Sequence, residues 1–258
     1  MRSGRLGSAN LEETYGTAHG MPTMRTLILL AGALCAASGL TGQAKKTLTL
    51  DAGLVNASGN SEFMSANLGE KATWEKNKWS VAQNAKVLYG ETDGTRTTES
   101  YDAGVRVARA VSPRIGVYVF AAYQRDPFAG LASRWSGGPG LTWGLVQSAR
   151  DTLGLEGAIT LQSERTTAPL ERSFAATRTA ALFKHSFASA ASFTQSLEWI
   201  ANLETSTDYR LNSETALVAP LSSKIGLRLS YVIRFDNQPE PTFKKTDRIL
   251  TAGIQVAL

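Results

Sequence analysis

Apolar and polar side chains alternate along most of this chain with a period of two. In residues 225–236, Ile225, Leu227, Leu229, Tyr231, Ile233 and Phe235 share one side. Gly226, Arg228, Ser230, Arg234 and Asp236 share the other, with Val232 the one apolar exception. Residues 79–89 repeat the pattern: Trp79, Val81, Ala85, Val87 and Tyr89 oppose Ser80, Asn84 and Lys86. The chain ends on Leu250, Ala252, Ile254, Val256 and Leu258, alternating with Thr251, Gly253, Gln255 and Ala257. Successive side chains of a strand point to opposite faces, so these runs are strands with one apolar and one polar side. No helical period persists beyond Ala44.

Counting such runs predicts strands at 47–56, 62–75, 79–90, 98–110, 115–126, 133–146, 151–164, 172–185, 192–203, 209–221, 225–236 and 246–258. In the run 172–185, Arg178 interrupts either face assignment. The runs are about 10–14 residues, against ~5–6 for strands of soluble domains. Membrane-spanning strands need ~9–11 residues at a steep tilt. Aromatic residues gather near the turns: Trp74 and Trp79 flank Lys76-Asn77-Lys78, Tyr101 follows one loop and Tyr123 precedes another. Amphipathic rings suit the two edges of a bilayer. Lys76-Asn77-Lys78, Ser112-Pro113-Arg114 and Ser222-Ser223-Lys224 read as tight turns, and 91–97, 165–171 and 237–245 as longer, polar loops. The expected fold is all-β: a single antiparallel transmembrane β-barrel of twelve strands, over 45–258. Short turns and both termini belong on the periplasmic side. A soluble periplasmic β-sandwich that binds envelope components is the alternative with the same alternation.

Residues 24–44 read as an export signal. Arg25 gives a positive start, Leu27 to Leu34 a short apolar stretch, and Gly42 and Ala44 the small residues before a cleavage site. That apolar stretch is too short for a spanning helix of ~20 residues. Cleavage near Ala44 is expected, with delivery to the bacterial outer membrane. Residues 1–23 are polar and aperiodic, and read as a start assigned too early or as a disordered extension. The single cysteine, Cys35, lies inside the signal, so no disulfide framework or multi-cysteine metal site is available.

Composition narrows the function classes. Charged residues are 19% of the chain, below the ~25% of ordinary soluble domains. The net charge is +5, but the basic residues are scattered, so no stripe for nucleic acid forms. Histidine is limited to His19 and His185, and the neighbour Ser186 would face away from His185 on a strand. No nucleophile–base pair is therefore expected, and a barrel-embedded lipase or protease stands only as an alternative. No His/Cys spacing suits zinc. Glu91 and Asp93 offer at most a weak loop site for a cation. Ser58-Gly59-Asn60 resembles a phosphate loop in composition, but no helix follows it, and it reads as a hairpin turn. No cofactor is expected.

The polar faces carry the informative set. Lys86, Arg106, Arg210, Arg228 and Arg234 are expected inside the barrel with Asp102, Glu156, Glu164, Glu198, Glu214 and Asp236. Arg or Lys on a lipid face near the midplane costs ~2–4 kcal/mol, which favours the interior. Two arrangements are open, charges lining a water-filled path or charges pairing across a narrow lumen and closing it. Mixed signs favour the second, and a small pore or a structural envelope component is the expected function. Lipid, and small solutes or ions, are the expected partners. Thr251-x-Gly253-x-x-Val256-x-Leu258 matches the ending that barrels present to the assembly machinery, with Leu258 where an aromatic is usual.

Specific segments then resemble a known family: Ser58-Gly59-Asn60-Ser61, Tyr123 to Phe128, Tyr209 to Leu217, Tyr231 to Asp236, and Lys245-Thr246-Asp247. The chain resembles the salt-induced outer-membrane proteins, a domain-of-unknown-function family, over about 48–258. The resemblance implies an outer-membrane barrel without an established activity, and it carries no catalytic residues over.

Overall fold

The computed structural model describes residues 44–57, 63–168 and 170–258. The expected signal up to Gln43, the stretch 1–23 and the turn Ser58 to Ser61 lie outside the described residues. Twelve antiparallel strands close into one barrel, each bonded to its neighbours in chain order and the first to the last. They are β1 (Lys45–Ala57), β2 (Phe63–Lys76), β3 (Trp79–Thr92), β4 (Thr95–Ala110), β5 (Ile115–Asp126) and β6 (Leu131–Gln147). The second half comprises β7 (Asp151–Thr166), β8 (Glu171–Ser186), β9 (Ser192–Asn202), β10 (Tyr209–Pro220), β11 (Ile225–Asp236) and β12 (Thr246–Ala257). One closed sheet replaces the two-sheet sandwich alternative. Among the described residues no helix is long and apolar enough to cross a membrane.

The start of β1 at Lys45, the end of β12 and the turns after β2, β4, β6, β8 and β10 lie at one end of the barrel, here the turn end. Three of these turns use the same device. The Ser112 hydroxyl accepts from the amides of Arg114 and Ile115 at 3.3 and 3.0 Å. Ser148 accepts from Arg150 and Asp151 at 3.3 and 2.8 Å, and Ser222 from Lys224 and Ile225 at 3.3 and 3.1 Å. A short side-chain acceptor satisfies the amides that a hairpin turn leaves free. At the opposite, loop end, the expected loop 91–97 is instead a tight hairpin. β3 and β4 pair up to Thr92↔Thr95, and Asp93 and Gly94 close the turn at φ 49° and 72°. Asp-Gly favours this type of turn because both central residues need positive φ.

The outward face is largely apolar over the height of the wall, with Glu70 of β2, which accepts from Gln83 of β3 at 2.8 Å, a charged exception. Leu54, Leu161 and Leu250 are 71%, 73% and 67% exposed, values a water-soluble fold would not leave on so many large side chains. Trp74, Trp79, Trp143, Phe183 and Phe193 ring the turn end; Tyr89, Tyr101, Tyr123, Trp135, Trp199, Tyr209 and Phe235 ring the loop end. Neighbours in these rings touch, as Tyr123 and Trp135 do at 4.8 Å between centroids. An apolar belt between two aromatic rings is the surface of a barrel immersed in lipid.

Arg178 of β8 points inward with Arg172, Phe174 and Ala176. The alternation was hidden because the outward face of β8 carries Ala175, Thr177, Thr179 and Ala181 in place of large apolar residues. Two register shifts in β6, at Leu131/Ser133 and Gly144/Val146, change which residues face in. Closure makes every strand a paired strand, so unheated and boiled protein should migrate differently on a denaturing gel. Identical migration would contradict a closed barrel.

The seam between β1 and β12 is shorter than the other ladders. Its register runs only from Thr49↔Ala257 to Ala52↔Ile254, extended at the turn end by a mutual pair between Leu48 and Leu258.

Candidate functional site

Alternation sends the polar residues of all strands into the lumen, and closure brings distant strands face to face. A cavity of about 620 Å³ opens there. Its walls include Lys86, Asp102, Arg106, Glu156, Glu198, Arg210, Glu214, Arg234 and Asp236. Arg228 lies with Lys86 on a second cavity of about 70 Å³ under β1 and β2. Glu164 also faces inward, with its side chain 1% exposed.

The charges pair in three groups. Near the loop end, Glu164 meets three arginines: Arg134 at 2.7 Å, Arg172 at 3.0 Å and Arg210 at 2.5 Å. Asp208 takes a second contact from Arg172 at 3.1 Å, and Asp236 one from Arg210 at 3.2 Å. Register explains the core of this group, because Arg134↔Glu164 and Glu164↔Arg172 are cross-strand partners. Arg210 arrives from β10, on the far side of β8 and β9.

The second group crosses the middle of the lumen. Arg106 on β4 reaches Glu156 on β7 at 2.5 Å. Arg178 on β8 bonds Glu156 at 2.8 Å and Glu198 on β9 at 2.6 Å. Tyr118 on β5 is held between the two cations. The Arg106 guanidinium lies 3.7 Å from its ring centroid, and Arg178 donates to its hydroxyl at 3.1 Å. This cation–ring contact adds about 0.5–2 kcal/mol where water is excluded. Gly140 makes room for the ring: a Cβ there would sit 2.4 Å from Cζ of Tyr118. Gly140→Val should therefore displace Tyr118 and cost about 1–3 kcal/mol, measured by urea unfolding in vesicles. No change would show that the ring does not need this position.

The third group spans the diameter. Arg234 on β11 binds Asp102 on β4 at 2.9 Å and Asp126 on β5 at 3.1 Å. β5 and β11 stand opposite each other in the strand order. Arg228 binds Glu214 on the neighbouring strand at 2.7 Å. Lys86 stands apart: among the described residues no ion pair reaches it, although Asp102 is its cross-strand partner. Arg234 and Ser100 engage that carboxylate instead.

Several of these partners escape sequence reasoning. Asp126 and Tyr118 lie on a mixed face of β5 that alternation places inside, whereas Arg134 and Arg172 lie on β6 and β8, where register shifts or small outward residues hide the alternation. Asp208 precedes β10 in a loop and has no periodic signal.

His185 forms a pair with Asp151 at 2.7 Å, on the outward side near the turn end and against the Phe187 ring at 4.5 Å. Among the described residues no hydroxyl or thiol hydrogen-bonds this histidine. Glu91 accepts from the Tyr89 hydroxyl at 2.7 Å. Among the described residues no group of three or more His, Cys, Asp or Glu is placed to hold a metal ion.

A family model described as "Protein of unknown function, DUF481" matches residues 50–258. No curated protein matches the chain. Among solved structures, a NanC porin is 9% identical with a TM-score of 0.47, covering 82% of this chain and 97% of its own. A KdgM porin is 8% identical at 0.44, covering 82% and 98%. The translocator domain of the autotransporter NalP from Neisseria meningitidis is 11% identical at 0.43, covering 90% and 94%.

Proposed function

The chain belongs to the family of unknown function DUF481, and we propose that it is an outer-membrane barrel acting as a small pore, its lumen narrowed by ion pairs from wall to wall. One observation carries this reading: Arg106–Glu156 and Arg234–Asp126 join strands that are not neighbours in the barrel. A twelve-stranded wall lies between eight-stranded barrels, which side chains fill, and sixteen-stranded ones, which leave a channel. Here the bridging arginines divide that intermediate bore. Between them remains a polar cavity lined by eight basic and seven acidic residues, open in chemistry to ions and small polar solutes of either sign. In this reading both termini lie in the periplasm and the loops face outside. The leader at 24–44 is removed near Ala44, and the last strand engages the assembly machinery.

Recording single channels in planar bilayers tests the reading. The expected result is a small conductance with weak selectivity, because charges of both signs line the path. Arg228→Glu should shift the reversal potential toward cations, since a narrow path feels each nearby charge. A wide-pore conductance, or no conductance at all, would contradict the proposal.

A further inference from the structure

The β1–β12 seam leaves backbone unpaired where lipid should surround it. Leu48 and Leu258 exchange both amide bonds, at 3.1 and 2.8 Å. In an antiparallel ladder such exchanges recur at every second residue. They therefore fall at Leu50↔Val256 and Ala52↔Ile254, and the next would be Leu54 with Ala252. The ladder ends before it. β2 and β11 continue to pair with their own sides of β1 and β12 beyond this point, up to Ala57↔Phe63 and Phe235↔Thr246. The loop-end half of the seam is thus without ladder pairing between two otherwise regular strands, which still touch at its start, where Ala252 O lies 2.6 Å from the Cβ that Gly53 lacks. Unpaired backbone groups within a bilayer cost several kcal/mol each, and they are tolerated only beside protein or a wet cavity.

Three further features meet at this point. Leu54 and Leu250, 71% and 67% exposed, flank this stretch of the seam on its outer side. The cavity of about 70 Å³ lies on the lumen side just below, lined by the inward Asp51, Arg228, Thr251 and Gly253 and reaching the Leu68 and Ile254 positions of the wall. Lys86 lines both this cavity and the main lumen. The carboxylates near it are taken: Asp51 accepts from Gln255 at 2.8 Å and faces Arg228 at 3.9 Å, and Asp102 is bound by Arg234. A cation without a carboxylate thus stands behind a stretch of seam whose outer edges are leucines.

We propose that the loop-end half of the β1–β12 seam is a lateral portal. It admits the carboxylate of a single-chain amphiphile from the bilayer to Lys86, while the chain stays against Leu54, Leu250 and Ile254. A carboxylate suits the small cavity and the unpaired charge, and an alkyl chain suits the outer edges. The portal rests on the reading of the barrel as lipid-embedded, and it makes the wall, in addition to the two mouths, a way into the lumen.

The test is photo-crosslinking in phospholipid vesicles with palmitate carrying a diazirine on its chain, mapped by mass spectrometry. Labels should concentrate on β1 and β12 around Leu54, Leu250 and Ile254. Lys86→Ala should lower them about tenfold, the loss of one charged hydrogen bond. Lys86→Arg should retain them, and a palmityl alcohol probe should not concentrate there. Amide exchange supplies a readout free of any variant: Ala252 and Leu250 should exchange faster than Ile254 and Val256, whose ladder bonds to β1 are made. Labels spread evenly over the apolar wall, or unchanged by Lys86→Ala, would overturn the portal, as would equal protection along β12. Protein that does not float with the vesicles would overturn the bilayer reading and the portal together, whereas floating but evenly labelled protein overturns the portal alone.

Discussion

Glu164→Ala should destabilise the barrel by about 3–5 kcal/mol, the range for a buried charge pair broken from one side. Glu164 is held by three guanidinium groups with its own side chain 1% exposed. Removing it leaves Arg134, Arg172 and Arg210 converging on an empty point. Arg172 and Arg210 keep Asp208 and Asp236, but Arg134 keeps only the Gln124 amide oxygen at 2.8 Å. The control lies at the rim, where Arg165 and Glu171 pair with side chains 62% and 66% exposed. There Glu171→Ala should cost no more than about 1 kcal/mol, because solvent screens such pairs. Urea titrations of both variants in lipid vesicles measure the difference. Equal, small costs would mean that the lumen is wet enough to screen Glu164 as it does the rim.

The second large effect tests which face meets lipid. Leu229 lies mid-strand on β11, 46% exposed on the outward side and opposite Leu217 and Ala252. Leu229→Arg puts a charge near the middle of the apolar belt and should cost about 2–4 kcal/mol. Arg228→Leu, one residue away, changes the lumen. It leaves Glu214 without its partner, but that side chain is 35% exposed and can be solvated, so the loss should be milder. Folding titrations of the two variants should separate clearly. Equal tolerance would mean that the faces are exchanged, since a slip of one residue turns every side chain over.

These faces were legible wherever the outward residues are large. β11 is the clear case, since each outward position from Ile225 to Phe235 is aliphatic or aromatic. β8 was obscure because threonine and alanine face out beside Arg178, and lipid tolerates them without marking the side. β6 was obscure for another reason: its two register shifts break the period, so Leu131 is buried inside while Val146 faces out. The identity of inward charges follows from alternation, but their partners do not. Arg234 meets Asp126 only because closure sets β11 opposite β5, and no local pattern encodes that meeting. The short seam is hidden for the same reason, because it depends on where the first and last strands come together.

Pairs across the lumen, Arg106–Glu156 and Arg234–Asp126, are what narrow its bore in this proposal. The direct measurement is single-channel conductance of the wild type beside Arg106→Ser with Arg234→Ser in one chain. Cutting both bridges should raise the conductance several-fold while the gel shift between unheated and boiled samples persists. A double variant that folds and conducts as the wild type does would contradict the account.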